Sequence, residues 1–358
     1  MTRWQVFDQL CGILRARLRG TPPQLPADLP WEQLIQASSY HCITPFLAWT
    51  LRGHHELDRE VRDYLAAILA LNAQRNQQLT GVIGRVARAL NAIDIVPVFF
   101  KGAAYSAGTV YPEPGLRFTG DIDLLLPGGR APDISKALTT AGFEAEEARL
   151  LVRVKQPYLP HFRDAATGAT LDTHREIAPQ QWHSIVEPEG FAARCRLVEL
   201  GGARVRIPHP TDLVAHSIVH NQLKDRYHER GSVQLRQLLD LAFLCDRHGS
   251  EIDWVDLESR FEKTGTASVL STNLHFVEAL LHRNVPKFKC PPRPDALDLL
   301  RTMIEHPRYQ RQFLMTGWLA QYVAQLKAKP LSALNLLNPK TFGPRLRRLR
   351  SILQGKKW

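Results

Sequence analysis

The sequence predicts a mixed α/β protein whose β-sheet core lies between two helical regions. Apolar residues recur at helical spacing along Val61–Leu90, a stretch without proline. From Ile93 the chain changes to short apolar runs such as Ile95–Phe100, separated by glycine and proline. Helical spacing returns after Pro208. We therefore expect an N-terminal helical region (1–90), an α/β core (91–208), a C-terminal helical domain (209–320) and a basic tail (321–358).

Within the core, strands and helices are expected to alternate. Ile95–Phe100 is apolar and β-rich and predicts a buried strand, and Ala103–Val110 predicts a helix. Tyr111–Gly120 holds two prolines and two glycines and predicts a loop. Three further strands are expected in the core, at Asp121–Leu126, Leu151–Tyr158 and Ala169–Ile177. A helix is expected at Ala131–Ala141 and a hairpin at Cys195–Ile207. Later helices are expected at Leu213–Gln222, capped by Thr211 or Asp212, at Val233–Arg247 and at Thr266–His282.

Composition sets the broad class of the protein. Of 358 residues, 44% are apolar and 23% charged, as in ordinary globular proteins. There is no apolar run of the roughly 18 residues that a transmembrane helix needs, and arginines interrupt the apolar residues of the N-terminus. The five cysteines are scattered, which is typical of reduced structural thiols. These observations predict a cytoplasmic protein.

The net charge of +11 comes mainly from the end of the chain. Residues 321–358 contain nine Lys or Arg and no Asp or Glu, which leaves +2 for the rest. Within them Pro344–Leu353 mixes basic and apolar residues, and as a helix it would place Leu346, Leu349 and Leu353 on one side. Two interpretations are open: a helix that docks on the body, or a contact with RNA or with an anionic surface such as the inner face of the membrane.

Two aspartates are the most informative residues of the core. Asp121 and Asp123 stand two apart in a predicted strand, so alternation places both on one face and Ile122 and Leu124 on the other. Such carboxylates repel each other unless a cation lies between them, and Mg²⁺ prefers carboxylate and phosphate oxygens. The pattern indicates a metal–nucleotide site. A solvated strand end with two acidic residues is the alternative.

A third carboxylate lies in the predicted strand Ala169–Ile177. There Asp172, His174 and Glu176 share one face. If this strand lies beside Asp121–Leu126, Asp172 joins the pair and two metal ions can bind, one on a triphosphate and one that lowers the pKa of an attacking hydroxyl. The alternative is an edge strand with a polar outer face.

These residues resemble the uncharacterised nucleotidyltransferase family, part of the polymerase-β-like nucleotidyltransferase superfamily. The resemblance is carried by Lys101–Ala104, Tyr111–Pro112, Gly115–Arg117, Gly120–Leu125 and Asp172–His174, and it extends to His216, His220, Leu235–Arg236 and Leu239–Leu241. It implies a nucleotidyltransferase core that uses Mg²⁺ or Mn²⁺ and an NTP, with Asp121, Asp123 and Asp172 as catalytic metal ligands. It also implies a nucleotide site that includes Lys101, Gly102, Arg117, His174, His216, His220, Arg236 and Asp240. One departure is Ala103, where the superfamily usually has serine, so that Lys101 and backbone N–H groups would have to hold the phosphate.

The cations near the acidic pair admit two interpretations each. Lys101 is either a phosphate contact or a solvated lysine in a loop. Arg117, four residues before Asp121, either neutralises the triphosphate or pairs with a carboxylate and holds the loop; we favour the triphosphate.

The predicted C-terminal helices carry further polar residues. Asp212, His216 and His220 follow one another at i, i+4 and i+8. A zinc site is conceivable, but no Glu follows His216 as in metalloproteases, and polar packing against the cleft is the simpler interpretation. Asp240 lies among apolar residues and needs a partner. Arg236, one helical turn earlier, is the predicted partner.

The leading functional hypothesis is transfer of a nucleoside monophosphate from an NTP to an acceptor, which is a small molecule, a peptide or protein, or an RNA end. A non-catalytic nucleotide-binding or membrane-surface module is one alternative. An Asp-x-Asp glycosyltransferase is another, but it would need a sugar-nucleotide domain where residues 1–90 are predicted to be helical.

Overall fold

The computed structural model describes residues 1–54, 56–108, 110–126, 129–146 and 160–309. The predicted strand at Leu151–Tyr158 and the basic tail (321–358) lie outside these residues. In the described part of the chain, no helix is both long enough and apolar enough to span a bilayer.

Four helices precede the first strand, as the sequence predicts. They are α1 (Arg3–Leu18), α2 (Trp31–Tyr40), α3 (Thr44–Thr50) and α4 (Arg59–Asn91). A capping box begins α1, because the Thr2 hydroxyl accepts from the Gln5 N–H and the Gln5 side chain accepts from the Thr2 N–H. The 33-residue helix α4 packs against the other helices near its start, through Leu65, and against the sheet along its second half.

A seven-stranded mixed sheet forms the centre of the protein and confirms the predicted fold class. Its strands are β1 (Val98–Phe100), β2 (Ile122–Leu125), β3 (Phe143–Ala145), β4 (Phe162–Asp164), β5 (Thr170–His174), β6 (Arg196–Leu200) and β7 (Ala203–Ile207). The spatial order is β3-β4-β5-β2-β1-β7-β6. The pairs β2/β5 and β1/β7 are parallel, and the other neighbouring strands are antiparallel.

The register of the central strands places the two acidic segments side by side. Asp123 on β2 stands opposite Asp172 on β5, and Phe100 on β1 stands opposite Asp123 on its other side. Ile122 and Leu124 face the second half of α4 in a buried apolar cluster, as strand alternation predicts. The aspartate side chains therefore emerge on the opposite face of the sheet.

The remaining helices lie on that opposite face and at the edges of the sheet, except the helix at Ala131–Thr140, which packs beside α4 against the first face. They are α5 (Gly102–Ala107), α6 (Ala131–Thr140), α7 (Pro188–Arg194), α8 (Pro210–Ile218), α9 (Leu235–His248), α10 (Trp254–Glu262), α11 (Ala267–Leu281) and α12 (Ala296–Glu305). A π-helical segment, Val219–Lys224, continues α8. Val98 and Phe100 point into the apolar cluster that α5, α8, α9 and α11 build.

The start of α8 corrects a prediction. Neither Thr211 nor Asp212 caps this helix, because Pro210 takes its first position and the His209 side chain accepts from the Thr211 N–H. Asp212 lies within the helix and is fully buried, with its carboxylate bound by Arg194 and Arg260 at 2.8 Å. It therefore stabilises the packing of α7 and α10 on α8.

Candidate active site

Two neighbouring parallel strands at the centre of the sheet, β2 and β5, bring carboxylates together. One oxygen each of Asp123 and Asp172 lies with a ring nitrogen of His174 in a group whose atoms are all within 4.8 Å of one another. The prediction that Asp172 lies beside Asp123 is thereby confirmed. Its cause is the parallel pairing of β2 with β5, which puts residues of matching register on one face.

Positive and imidazole groups surround these carboxylates. Asp123 is only 1% exposed, and its Oδ1 lies 2.6 Å from Lys101 Nζ and 2.9 Å from His174 Nε2. His174 Nε2 is also 3.2 Å from Asp172 Oδ2, and His161 Nδ1 is 2.9 Å from Asp172 Oδ1. Lys101, His161 and His174 thus all contact Asp123 or Asp172, and opposite charge close to a carboxylate favours its ionised form, as a bound cation would.

Shifted pKa values at the cluster have the same origin. Burial raises the pKa of the Asp121 carboxyl, and the negative charge of Asp123 raises it further. Burial would also raise the pKa of Asp172, but the hydrogen bond and charge of His174 outweigh it, so that this pKa is lowered. Burial would lower the pKa of His174, but its hydrogen bonds to Asp123 and Asp172 raise it above the ordinary value. The site favours bound positive charge.

Lys101 connects β1 to α5 in an unusual backbone conformation. Its φ is +50°, in the left-handed region that a residue with a Cβ rarely adopts. The ammonium group contacts Asp123, so Lys101 is not the solvated loop lysine that the sequence left open. Strained backbone of this kind concentrates at functional sites.

Gly102 is required by close packing. A Cβ at this position would lie 2.6 Å from Thr119 Cγ2 and 2.9 Å from Arg117 Nη1. The loop that precedes β2 therefore packs directly on the start of α5, and only glycine leaves the space for it.

Arg117 pairs with a carboxylate, which was the second of the two interpretations that the sequence left open. Its Nε and Nη2 donate to Asp240 Oδ1 and Oδ2 at 2.7 and 2.9 Å, and its Nη1 donates to Thr119 Oγ1 at 3.2 Å. Both members are buried, at 8% and 1% exposure. The Tyr111 hydroxyl donates to Asp240 Oδ1 at 2.6 Å. This pair fixes the loop before β2 on α9.

The predicted partner of Asp240 is therefore wrong. Arg236 was expected to pair with it across one helical turn, but its Nη1 donates to the Phe118 carbonyl at 3.2 Å. Its Nε is buried and has no hydrogen-bond partner among the described residues. Arg236 thus keeps donor capacity beside the acidic cluster, whereas the guanidinium of Arg117 is occupied.

Sequence reasoning missed the polar residues of α4 that hold the same loop. Asn72 Nδ2 donates to the Gly115 carbonyl at 2.6 Å, and Asn76 Nδ2 donates to the Arg117 carbonyl at 2.8 Å. Arg75 donates to the Gly120 carbonyl at 3.1 Å. Asn72 and Asn76 are buried at i, i+4 on an otherwise amphipathic helix, and that pair of buried-face amides was the available signal.

His216 and His220 approach the cluster from α8 and its π-helical continuation. The Phe100 ring lies edge-on between His174 and His216, with centroids 4.9 and 5.2 Å away. Burial lowers the pKa of His216 well below its usual value and lowers that of His220 to about 3. Both rings are therefore neutral near pH 7. Among the described residues neither belongs to a cluster with metal-ligand geometry, so the structure does not support the zinc alternative.

The predicted residues line two adjoining clefts. One, of about 80 Å³, is lined by Lys101, Gly102, Arg117, Asp121, Asp123, His216, His220, Arg236 and Asp240, among others. The second, of about 220 Å³, shares Lys101, His216 and His220 with the first and adds His174, Glu176 and Lys224. Asp172 is not among the residues that line either cleft, but its Oδ2 lies 3.2 Å from Nε2 of His174, which lines the second. Every site residue named from the sequence is thus in one neighbourhood.

A larger cavity of about 980 Å³ lies elsewhere, between α3, α4 and residues 113–115. Its walls are largely apolar, and the charged residues there include Arg52 and Glu113, which pair with each other at 2.8 Å. We choose the smaller acidic clefts as the candidate site because titratable and charged side chains line them.

Comparison with known proteins gives the following findings. A protein-family model described as Uncharacterised nucleotidyltransferase matches residues 27–282. A solution structure of the antibiotic-resistance factor ANT(2'')-Ia is 14% identical to this chain and covers 53% of it and 95% of its own chain, with a TM-score of 0.37. A crystal structure of an antigenic nucleotidyltransferase-like protein from Paracoccidioides brasiliensis is 17% identical and covers 59% of this chain and 95% of its own, also with a TM-score of 0.37. No curated protein matches the chain.

Proposed function

The chain belongs to the uncharacterised nucleotidyltransferase family, and from this premise we propose that it transfers a nucleoside monophosphate from an NTP to an acceptor in a metal-dependent reaction. The observation that carries the proposal is the paired register of Asp123 and Asp172 at the edge of a cleft that also contains Asp121. In this proposal the core (91–208) holds the carboxylates, and the helical domain (209–320) contributes His216, His220 and Arg236.

The donor set suits a divalent cation. Carboxylate oxygens on adjacent strands are the ligands that Mg²⁺ and Mn²⁺ prefer, and the structure already places positive groups against them. We assign Asp121 and Asp123 to an ion that also binds the triphosphate, and Asp123 and Asp172 to a second ion. When bound, these ions neutralise phosphate charge and lower the pKa of an acceptor hydroxyl.

The cations of the chain have separable roles in this proposal. Lys101, now bound to Asp123 at 2.6 Å, is free to contact a phosphate once another cation neutralises that carboxylate. Arg236, with its unpartnered buried Nε, is the second phosphate contact. Arg117 positions the loop through Asp240 and touches the nucleotide only if that pair opens. The clefts of about 80 and 220 Å³ are smaller than typical ligand pockets, so side chains must move when a nucleotide enters.

The other functions considered have weaker support. Helices α1 to α4 occupy the residues where a glycosyltransferase would need a sugar-nucleotide domain. A non-catalytic module has no need of a buried Asp123 in register with Asp172, since a buried carboxylate is costly without a cation. The basic tail (321–358) remains a proposed contact for an anionic membrane surface or RNA, and the acceptor remains a small molecule, a peptide or protein, or an RNA end.

Labelling with each α-labelled NTP, in the presence of Mg²⁺ or Mn²⁺ and a host-cell extract, tests the proposal. The species that gains label identifies the acceptor class. We expect Asp121→Asn and Asp123→Asn to abolish labelling with the fold retained by circular dichroism, because both changes keep size and remove charge. Asp246→Asn, in a surface pair with Arg283, is the matched control. Transfer within about threefold of wild type in both cleft variants would contradict the proposal.

A further inference from the structure

His174 lies between the two carboxylates of the acidic cluster. Its Nε2 is 2.9 Å from Asp123 Oδ1 and 3.2 Å from Asp172 Oδ2. The imidazole comes from the same strand as Asp172, two residues further along and therefore on the same face. The Phe100 ring packs edge-on against it at 4.9 Å between centroids, which holds the ring at the cluster.

We propose that His174 is itself a metal ligand, so that Asp123, Asp172 and His174 together bind a divalent transition-metal ion such as Mn²⁺. This inference rests on the proposed function only in requiring that a metal ion binds at the cluster. It assigns a nitrogen donor to a site that the sequence predicts from carboxylates alone.

The distances fit coordination geometry. Bonds of about 2.1 Å to an octahedral ion place neighbouring ligand atoms about 3.0 Å apart. The separations of 2.9 and 3.2 Å from Nε2 to the two carboxylate oxygens match that edge length. The third separation, between the two carboxylate oxygens, is within 4.8 Å. An ion can therefore take the place of the two hydrogen bonds at Nε2 with His174 already at the ligand edge length.

A neighbouring histidine provides an internal comparison. His161 Nδ1 lies 2.9 Å from Asp172 Oδ1, the oxygen that faces away from the His174 contact. Among the described residues the group with metal-ligand geometry contains His174 and not His161. His161 therefore supports Asp172 from outside the cluster, as partners of metal-binding carboxylates commonly do.

A nitrogen donor changes which ions the site prefers. Imidazole favours transition-metal ions, whereas Mg²⁺ prefers carboxylate, phosphate and water oxygens. We expect the chain to bind Mn²⁺ more tightly than Mg²⁺, and we expect His174→Asp, which supplies oxygen in place of nitrogen, to reduce that preference.

Pulsed electron paramagnetic resonance of Mn²⁺ added alone to the full chain tests the inference. Protein labelled with ¹⁴N- or ¹⁵N-histidine should show a directly bound histidine nitrogen on Mn²⁺. The coupling should persist in His161→Gln and disappear in His174→Gln and His174→Asp. Circular dichroism checks the fold of each variant, and the wild-type spectrum is informative even if one variant does not fold.

The outcomes separate this inference from the proposed function. Mn²⁺ that binds the wild type without histidine coupling overturns the inference and leaves the metal-dependent transfer standing. Coupling that survives in His174→Gln, or that is lost in a His161→Gln variant that still binds Mn²⁺, also overturns it. Failure of Mn²⁺ to bind the wild type at all also overturns the inference, whereas the transfer itself is tested by the labelling with NTP, where the triphosphate supplies further ligands.

Discussion

Replacing Asp240 with asparagine should lower the free energy of unfolding by about 3–5 kcal/mol. The carboxylate is 1% exposed and accepts Nε and Nη2 of Arg117 at 2.7 and 2.9 Å, together with the Tyr111 hydroxyl at 2.6 Å. Asparagine keeps the volume but removes the charge, and so leaves the guanidinium buried without a counter-ion. An amide oxygen can still accept one of the three hydrogen bonds, which places the expected loss near the lower end of the range.

Urea unfolding followed by circular dichroism measures the effect. Asp246→Asn is the matched control, because Asp246 pairs with Arg283 at the surface, where both side chains are about a quarter or more exposed. There we expect a change of about 0–1 kcal/mol. The double variant Arg117→Met with Asp240→Leu removes both buried charges and should lose less stability than Asp240→Asn alone. A loss in Asp240→Asn within about 1 kcal/mol of the surface control would refute the assignment of this pair as the anchor of the loop.

Three further predictions concern other parts of the molecule. Burial lowers the pKa of His41 to about 4, whereas the unfolded value is about 6.5; the unfolded chain therefore takes up the proton first as pH falls. The free energy of unfolding should therefore fall by about 3 kcal/mol as the pH is lowered from about 6.5 to about 4. Urea unfolding over this pH range should show a smaller fall for His41→Gln. Gly102→Ala should lower the free energy of unfolding by about 1–3 kcal/mol, because the new Cβ would contact Thr119 Cγ2. Adding Thr119→Ser removes that methyl group and should recover part of the loss. Equal stability of the single and the double variant would contradict this reason. Deletion of Arg345–Trp358 should leave transfer to a small acceptor near wild type but weaken salt-sensitive binding to anionic vesicles or RNA; a folded truncation that loses transfer yet keeps that binding would contradict the role of the tail.

The order of helices and strands was predictable because it depends on local periodicity. The hairpin β6–β7, with its turn at Gly201–Gly202, and the helix α6 lie where the sequence places them. The short elements β4, α7 and α10 were not predicted. A strand of three residues or a helix of two turns contains too few apolar positions to show a period.

Partner choice was the weakest part of the sequence reasoning. Arg236 is the nearest cation to Asp240 along its helix, and a rule of local spacing therefore selects it. The actual partner, Arg117, is 123 residues away in the sequence. A buried carboxylate pairs with whichever donors the fold brings within reach, and that choice has no local signature. The same holds for Asn72 and Asn76, which bind a loop some 40 residues distant.

The sequence alone predicts that Asp172 and His174 share a face, and both lie on β5. Asp121 lines the same cleft as Asp123 but precedes β2, so strand alternation does not place it. Alternation along a strand is a property of the backbone alone and needs no knowledge of neighbours. The parallel pairing of β5 with β2, and the register that sets Asp172 beside Asp123, could be known only from the packed structure. Strand order and register depend on long-range burial of both faces of the sheet. The acidic cluster and its histidine therefore exist only once distant segments have packed together.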